Sequence, residues 1–258
     1  MTIAITIKIN DGIVLAADSA AAVVNGEGYV NNVYYNANKI YRIRKNFRIG
    51  ITSWGSGRLE GKSIENIIND FNRQINDDKL QIDHKNHTVK QVTELLQSYI
   101  CNAYYNNQTH HGDQIFGCNI IGYDSDDTEK SYVIKIDNKI PISAPTHDSI
   151  ILGGEIEPIF RLINGYSELF HETLVSRMPD RKAEIDTAFN ATKRKLRSNF
   201  VDPGMPLQDA IDLARFLVDT AIKYRRYSNG SKTIGGNCDV AVITRLKGFV
   251  WINKKKLK

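Results

Sequence analysis

Apolar and polar positions at the start of the chain follow two successive rhythms. Ile3, Ile5, Ile7 and Ile9 alternate with Thr2, Ala4, Thr6 and Lys8, the period of two that marks a strand with two different faces. Asn10-Asp11-Gly12 supplies a turn, and residues 13 to 17 form an unbroken apolar run that predicts a second strand covered on both faces. Asp18 stands abruptly at the end of that run, where a carboxylate needs a partner. A three-residue loop at 10 to 12, with Gly12 left-handed, pairs Ile9 with Ile13 and Ala4 with Asp18, placing Asp18 on the Thr2 face. A two-residue loop at Asp11-Gly12 pairs Ile5 with Asp18 and turns it away. The first register is the expected one.

Downstream, residues 19 to 28 are small and glycine-containing and read as a loop, and 29 to 35 resume a strand composition. Ile40 and Ile43 alternate with charged residues, and residues 49 to 54 predict another strand ending in Gly55-Ser56-Gly57. Ile64, Ile67, Ile68, Phe71 and Ile75 then recur at helical spacing, opposite Glu65, Asn66, Asp70 and Arg73. Thr88 and Gln91 have the spacing of a capping box ahead of a second helix striped by Val92, Leu95, Leu96, Tyr99 and Ile100. A strand pair follows, at 114 to 122 and 131 to 137, around an acidic turn. Gly153-Gly154 precedes helical stretches at 156 to 163 and 166 to 175, and 177 to 203 reads as a charged insertion. Pro206 opens a long amphipathic helix, and strands at 239 to 244 and 249 to 252 follow it. Hairpins in place of alternating βαβ units predict an α+β fold, with antiparallel sheets covered by segregated helix layers.

Composition narrows the function classes. The 258 residues contain no linker and are read as one domain spanning 1 to 258. The net charge of +5 looks basic, but Lys254, Lys255, Lys256 and Lys258 carry four of those charges. The body is therefore near neutral, and the tail reads as a solvated, frayed end with no nucleic-acid partner. Apolar runs are strand-length and no secretory segment precedes them, so a cytoplasmic protein without membrane contact is expected. Cys101, Cys118 and Cys238 lack a CxxC spacing and read as core thiols. His84, His87, His110 and His111 fall in polar stretches without accompanying ligands, so they read as solvated loop histidines with no metal. Gly61-Lys62-Ser63 lacks the first glycine of a phosphate-binding loop, since Ser56 stands there. No cofactor is expected.

Thr2 carries the candidate chemistry. Methionine removal before a small residue would leave a hydroxyl nucleophile and an α-amine on one Cα. That amine, with a pKa of roughly 7.7 to 8.0, can take the hydroxyl proton near neutral pH.

Thr2, Gly12, the LAADS string at 15 to 19, Lys39-Ile40 and the GITSWGSG string at 50 to 57 together resemble the proteasome β-subunit family of N-terminal nucleophile hydrolases. The resemblance is close over roughly the first sixty residues and architectural after them. It implies a four-layer αββα sandwich, with Thr2 as nucleophile, Asp18 and Lys39 as its charged partners and the Gly55 amide as oxyanion donor. It also implies that Ala22, Ser53 and Gly57 line the specificity region. By the same resemblance, the substrate is a peptide or unfolded protein, the chain is a subunit of a homo-oligomer such as a ring, and an unfoldase is a candidate partner.

Departures from the family pattern fall in the second half. A family serine between glycines is absent where this chain reads Leu152-Gly153-Gly154. The family's second aspartate has no counterpart, because no acidic residue lies between Asp219 and Asp239. Thr233 offers a hydroxyl in place of a second family serine. Two other readings therefore stand beside the threonine peptidase: a non-catalytic proteasome-like subunit, and a small-molecule amidase.

Overall fold

The computed structural model describes residues 2–27, 29–77, 79–80, 82–83, 85–104, 116–136, 142–143 and 149–255. The elements run β1 (Ile3–Ile9), β2 (Gly12–Ala17), β3 (Ala21–Val24), β4 (Val30–Tyr34), β5 (Ile40–Ile43), β6 (Ile49–Gly55), β7 (Arg58–Leu59) and β8 (Lys62–Ser63). Next come α1 (Ile64–Asn76), α2 (Val89–Tyr104), β9 (Phe116–Tyr123), β10 (Glu129–Ile136), β11 (Ile142–Ser143) and β12 (Ile150–Gly154). They are followed by α3 (Glu157–Asn164), α4 (Glu168–Arg177), α5 (Lys182–Leu196), α6 (Leu207–Tyr227), β13 (Asp239–Thr244) and β14 (Gly248–Asn253).

Two five-stranded sheets, ordered β12-β1-β2-β13-β14 and β11-β10-β9-β6-β5, hold most of the strands. Each described pairing is antiparallel, in agreement with the hairpin reading of the sequence. In the first sheet, Ile3, Ile5, Ile7, Val14 and Ala16 pack on Ile159 of α3 and on Ala214, Leu217 and Val218 of α6. The opposite face, through Ala4, Leu15, Ala17 and Ala241, meets Ile40, Ile121 and Tyr123 of the second sheet. The outer face of that second sheet packs through Ile43, Ile49, Ile51 and Ile120 on Ile67, Ile68 and Phe71 of α1 and on Val92 and Leu96 of α2.

Helix starts follow the sequence. Ser63 caps α1 by accepting from the Asn66 N–H at 3.2 Å. Thr88 and Gln91 close the capping box reciprocally, at 3.0 and 3.1 Å.

The β1–β2 register differs from the expected one. Ile9 pairs with Gly12 and Ala4 with Ala17, so the loop is the two residues Asn10-Asp11, and Gly12 belongs to the strand with an ordinary φ. Gly12 serves a close approach and not a turn: a Cβ there would stand 3.0 Å from the Ile243 carbonyl oxygen on β13. Burial fixes this register, since full burial of each of Ile3, Ile5 and Ile7 contributes about 1.5–3 kcal/mol and a one-residue slip would break the match with Val14 and Ala16.

Four other readings are corrected or extended. His87 is not a solvated loop residue; it is 5% exposed and stacks on Phe47 with centroids 4.0 Å apart. The tail is not frayed at Lys255, whose ammonium is buried in an ion pair with Asp239. The charged segment after residue 177 is largely helical. A 3-10 turn (Pro179–Arg181) leads into α5, whose Phe189 ring packs on Tyr166 and His171 at 4.9 and 4.7 Å. Cys118 is buried, which pushes its thiol up to about 12, whereas Cys101 and Cys238 are half-buried. Met1, His84, His110, His111, Lys256 and Lys258 lie outside the described residues.

Candidate active site

Thr2 precedes β1 and is 3% exposed; its carbonyl accepts from the Glu155 N–H at 2.7 Å. Gly154, at φ +89°, sits against that carbonyl, and any Cβ at this position would overlap it.

Asp18 lies one residue beyond β2. Strict alternation in the observed register would turn its side chain to the helix side with Val14 and Ala16. The chain leaves the strand at Asp18 instead, and the carboxylate folds back as an acceptor. Oδ1 takes the Ile3 N–H at 3.0 Å and the Lys39 ammonium at 2.6 Å, while Oδ2 takes the N–H groups of Ala20 and Gly235 at 3.1 and 3.0 Å. Four donors converge on a side chain that is fully buried.

Lys39 stands just ahead of β5, on the second sheet, and is 6% exposed. Its carbonyl accepts from Ser53 of β6 at 2.9 Å, fixing the residue from the backbone side. Burial pulls the Lys39 ammonium below the ordinary lysine value of 10.5, and the adjacent Asp18 carboxylate opposes that shift.

A cavity of about 180 Å³ brings Thr2, Lys39 and Gly55 together with the three residues read as its specificity lining, Ala22, Ser53 and Gly57. Gly55 has φ +83° at the end of β6, a conformation that disfavours other residues. Thr233 does not line this cavity. It is buried, and its hydroxyl finds no hydrogen-bond partner among the described residues.

Several contributors were not legible in sequence. The Gly235 N–H on Asp18 is one. Trp54 is another: a Cβ on Gly117 or Gly153 would overlap its indole, so a serine at 153 has no room beside this ring. A third is the Lys255–Asp239 pair. Asp239 lies opposite Ala17 in the sheet, and the Lys255 ammonium also donates to the Ala37 carbonyl at 2.8 Å, two residues before Lys39. Only the alternation of charge and burial in three dimensions singles out such a pair; a run of tail lysines carries no such signal.

No protein-family model matches the chain, and no curated protein does. Among solved structures, the chain is similar to Anbu (ancestral beta-subunit) from Yersinia bercovieri, with a TM-score of 0.60 at 13% identity, over 98% of this chain and 87% of that one. The chain shares the fold of that protein. Likeness at this identity concerns the fold; the site is argued from its own residues. Among the described residues, no helix is long and apolar enough to cross a membrane, and no group of three or more ligating side chains could hold a metal ion.

Proposed function

We propose that this chain is an N-terminal threonine hydrolase that cleaves peptide or other amide bonds, built as a single αββα domain. Asp18 carries the reading: one buried carboxylate ties the backbone N–H next to Thr2 to the Lys39 ammonium, beside a cavity that both Thr2 and Lys39 line.

With Met1 removed, the Thr2 α-amine takes the hydroxyl proton as Oγ1 attacks the substrate carbonyl carbon. Lys39 as a cation favours the alkoxide character of the attacking oxygen, and the Gly55 amide stabilises the tetrahedral oxyanion. Collapse breaks the C–N bond, the leaving amine receives the proton from the α-ammonium, and an ester on Thr2 remains. Water, deprotonated by the same amine, attacks the ester carbon; the ester C–O bond breaks, Oγ1 recovers the proton from the α-ammonium, and the acid is released.

Assembly into a homo-oligomer is part of the proposal, supported by the description of the similar protein as a subunit. An unfoldase partner and a cytoplasmic setting belong to the same reading and rest on the sequence resemblance.

A second reading, a non-catalytic subunit, is favoured by the Trp54 ring that occupies the place of the family serine and by the idle Thr233 hydroxyl. Intact mass of the protein from its native source, combined with labelling by a peptide epoxyketone that needs both hydroxyl and free amine, separates the two. Loss of one methionine and a label confined to Thr2, absent in Thr2→Ala, is the expected result. Full retention of Met1 without label would replace the hydrolase with the non-catalytic subunit.

A further inference from the structure

The cavity beside Thr2 has an unusual charge inventory. Two of its lining side chains are ionised, Lys39 and Glu65. Lys39 is neutralised by Asp18 at 2.6 Å. Glu65 has no such partner: among the described residues no cation lies within ion-pair distance of its carboxylate.

Glu65 is solvent-exposed but tethered through one oxygen. Its Oε1 accepts from Asn38 Nδ2 at 2.6 Å, and the Asn38 carbonyl in turn accepts from the buried Tyr41 hydroxyl at 2.5 Å. Asn38 also precedes Lys39 directly, so the residue that orients this carboxylate is bonded to one that lines the cavity with Thr2. On its own side, Glu65 lies in the first turn of α1, whose start is fixed by the Ser63 cap. The rest of the wall is short: Ala20, Ala21, Ala22 and Ala37 leave room, and Ser53 and Ser63 add hydroxyls.

An oriented carboxylate with one amide donor keeps most of its acceptor capacity, which a guanidinium or ammonium fills with charge-assisted hydrogen bonds. The same carboxylate repels an acidic side chain and gains nothing from an aliphatic one. We infer that this cavity is a cation-selective subsite in which Glu65 receives a basic side chain of the substrate, arginine or lysine, next to the bond presented to Thr2. The inference rests on the hydrolase reading for the identity of the bond, and on the Glu65, Asn38 and Tyr41 geometry for the cation.

The test separates binding from chemistry. Capped tripeptide amides ending in arginine, leucine or glutamate are titrated calorimetrically into the full-length Thr2→Ala protein, alone and with Glu65→Gln or Glu65→Asp added. Arginine is expected to bind tighter than leucine by about tenfold, and glutamate more weakly than either. Glu65→Gln should erase the arginine advantage while leaving the leucine peptide unchanged, and Glu65→Asp, with the charge kept, should retain part of it. Equal binding of the arginine and leucine peptides, or an arginine advantage that survives Glu65→Gln, overturns the subsite. Selective arginine binding by a protein whose wild type never labels at Thr2 would keep the subsite and sink the hydrolase. Labelling at Thr2 by a leucine epoxyketone in preference to an arginine one would do the reverse.

Discussion

Asp18 and Ile3 form the last rung of the β1–β2 ladder with a side chain in place of a main-chain group. The Asp18 N–H donates to the Ile3 carbonyl at 3.2 Å, as an antiparallel pair requires, but the Ile3 N–H returns to Asp18 Oδ1 at 3.0 Å and not to its carbonyl. The substitution brings a carboxylate to the first residue of β1 and, through the same oxygen, holds the Lys39 ammonium. Strand termination and charge placement are one event here.

Removing that carboxylate should unfold the site from its centre. Asp18→Ala leaves the Lys39 ammonium buried without its counter-ion and orphans the N–H groups of Ile3, Ala20 and Gly235. A loss of about 3–5 kcal/mol is expected for breaking a buried pair by deleting one partner. Chemical denaturation of Asp18→Ala against Thr2→Ala measures it: the first should lose about 3–5 kcal/mol at unchanged m-value, the second little. Equal stability of the two would mean that the buried pair contributes nothing.

Activity and stability should respond to alkali in opposite directions. Burial lowers the Lys39 ammonium below 10.5, so the unfolded chain holds that proton more tightly than the folded one. The contribution of Lys39 to stability therefore rises with pH between the lowered folded value and 10.5 and is constant below that window. Hydrolysis, which needs the cation, should fall across the same window. On the acid side it should fall as the α-amine is protonated, near roughly 7.7 to 8.0. A kcat/KM profile with its alkaline limb at or above 10.5 would remove Lys39 from the chemistry.

Lys255 is expected to act on the site from the far end of the chain. Its ammonium pairs with buried Asp239 and caps the Ala37 carbonyl, while the Lys255 N–H donates to Asp239 Oδ1 at 3.1 Å. Lys255→Met should cost about 3–5 kcal/mol by leaving Asp239 buried and unpaired, and the Asp239→Leu, Lys255→Met pair should recover most of that loss. Thermal melts of the single and double variants decide it. A single variant as stable as wild type would return Lys255 to the solvated tail.

The element types, the antiparallel pairing and most helix starts were written in the sequence, because each depends on neighbours within a few residues. The isoleucine alternation of β1, the stripe of α1 and the Thr88–Gln91 box are examples. Asp18 was also legible, as the polar residue that ends an apolar run, and Thr2 through its place after Met1; Lys39 and Gly55 were candidates through the resemblance to the proteasome β-subunit family. The register of β1 and β2 was not legible. It turned on whether Gly12 served a turn or the approach of β13, and β13 lies more than two hundred residues away. Strand parity alone would have sent Asp18 to the wrong side. Its true direction depends on donors from Ile3, Ala20, Gly235 and Lys39, which only the folded sheets bring together. The burial of His87 on Phe47, the Trp54 ring against Gly117 and Gly153, and the Lys255–Asp239 pair share that cause. Each joins residues distant in the chain, and desolvation, which decides whether a charge or a ring is buried, is a property of the packed interior that local sequence does not contain.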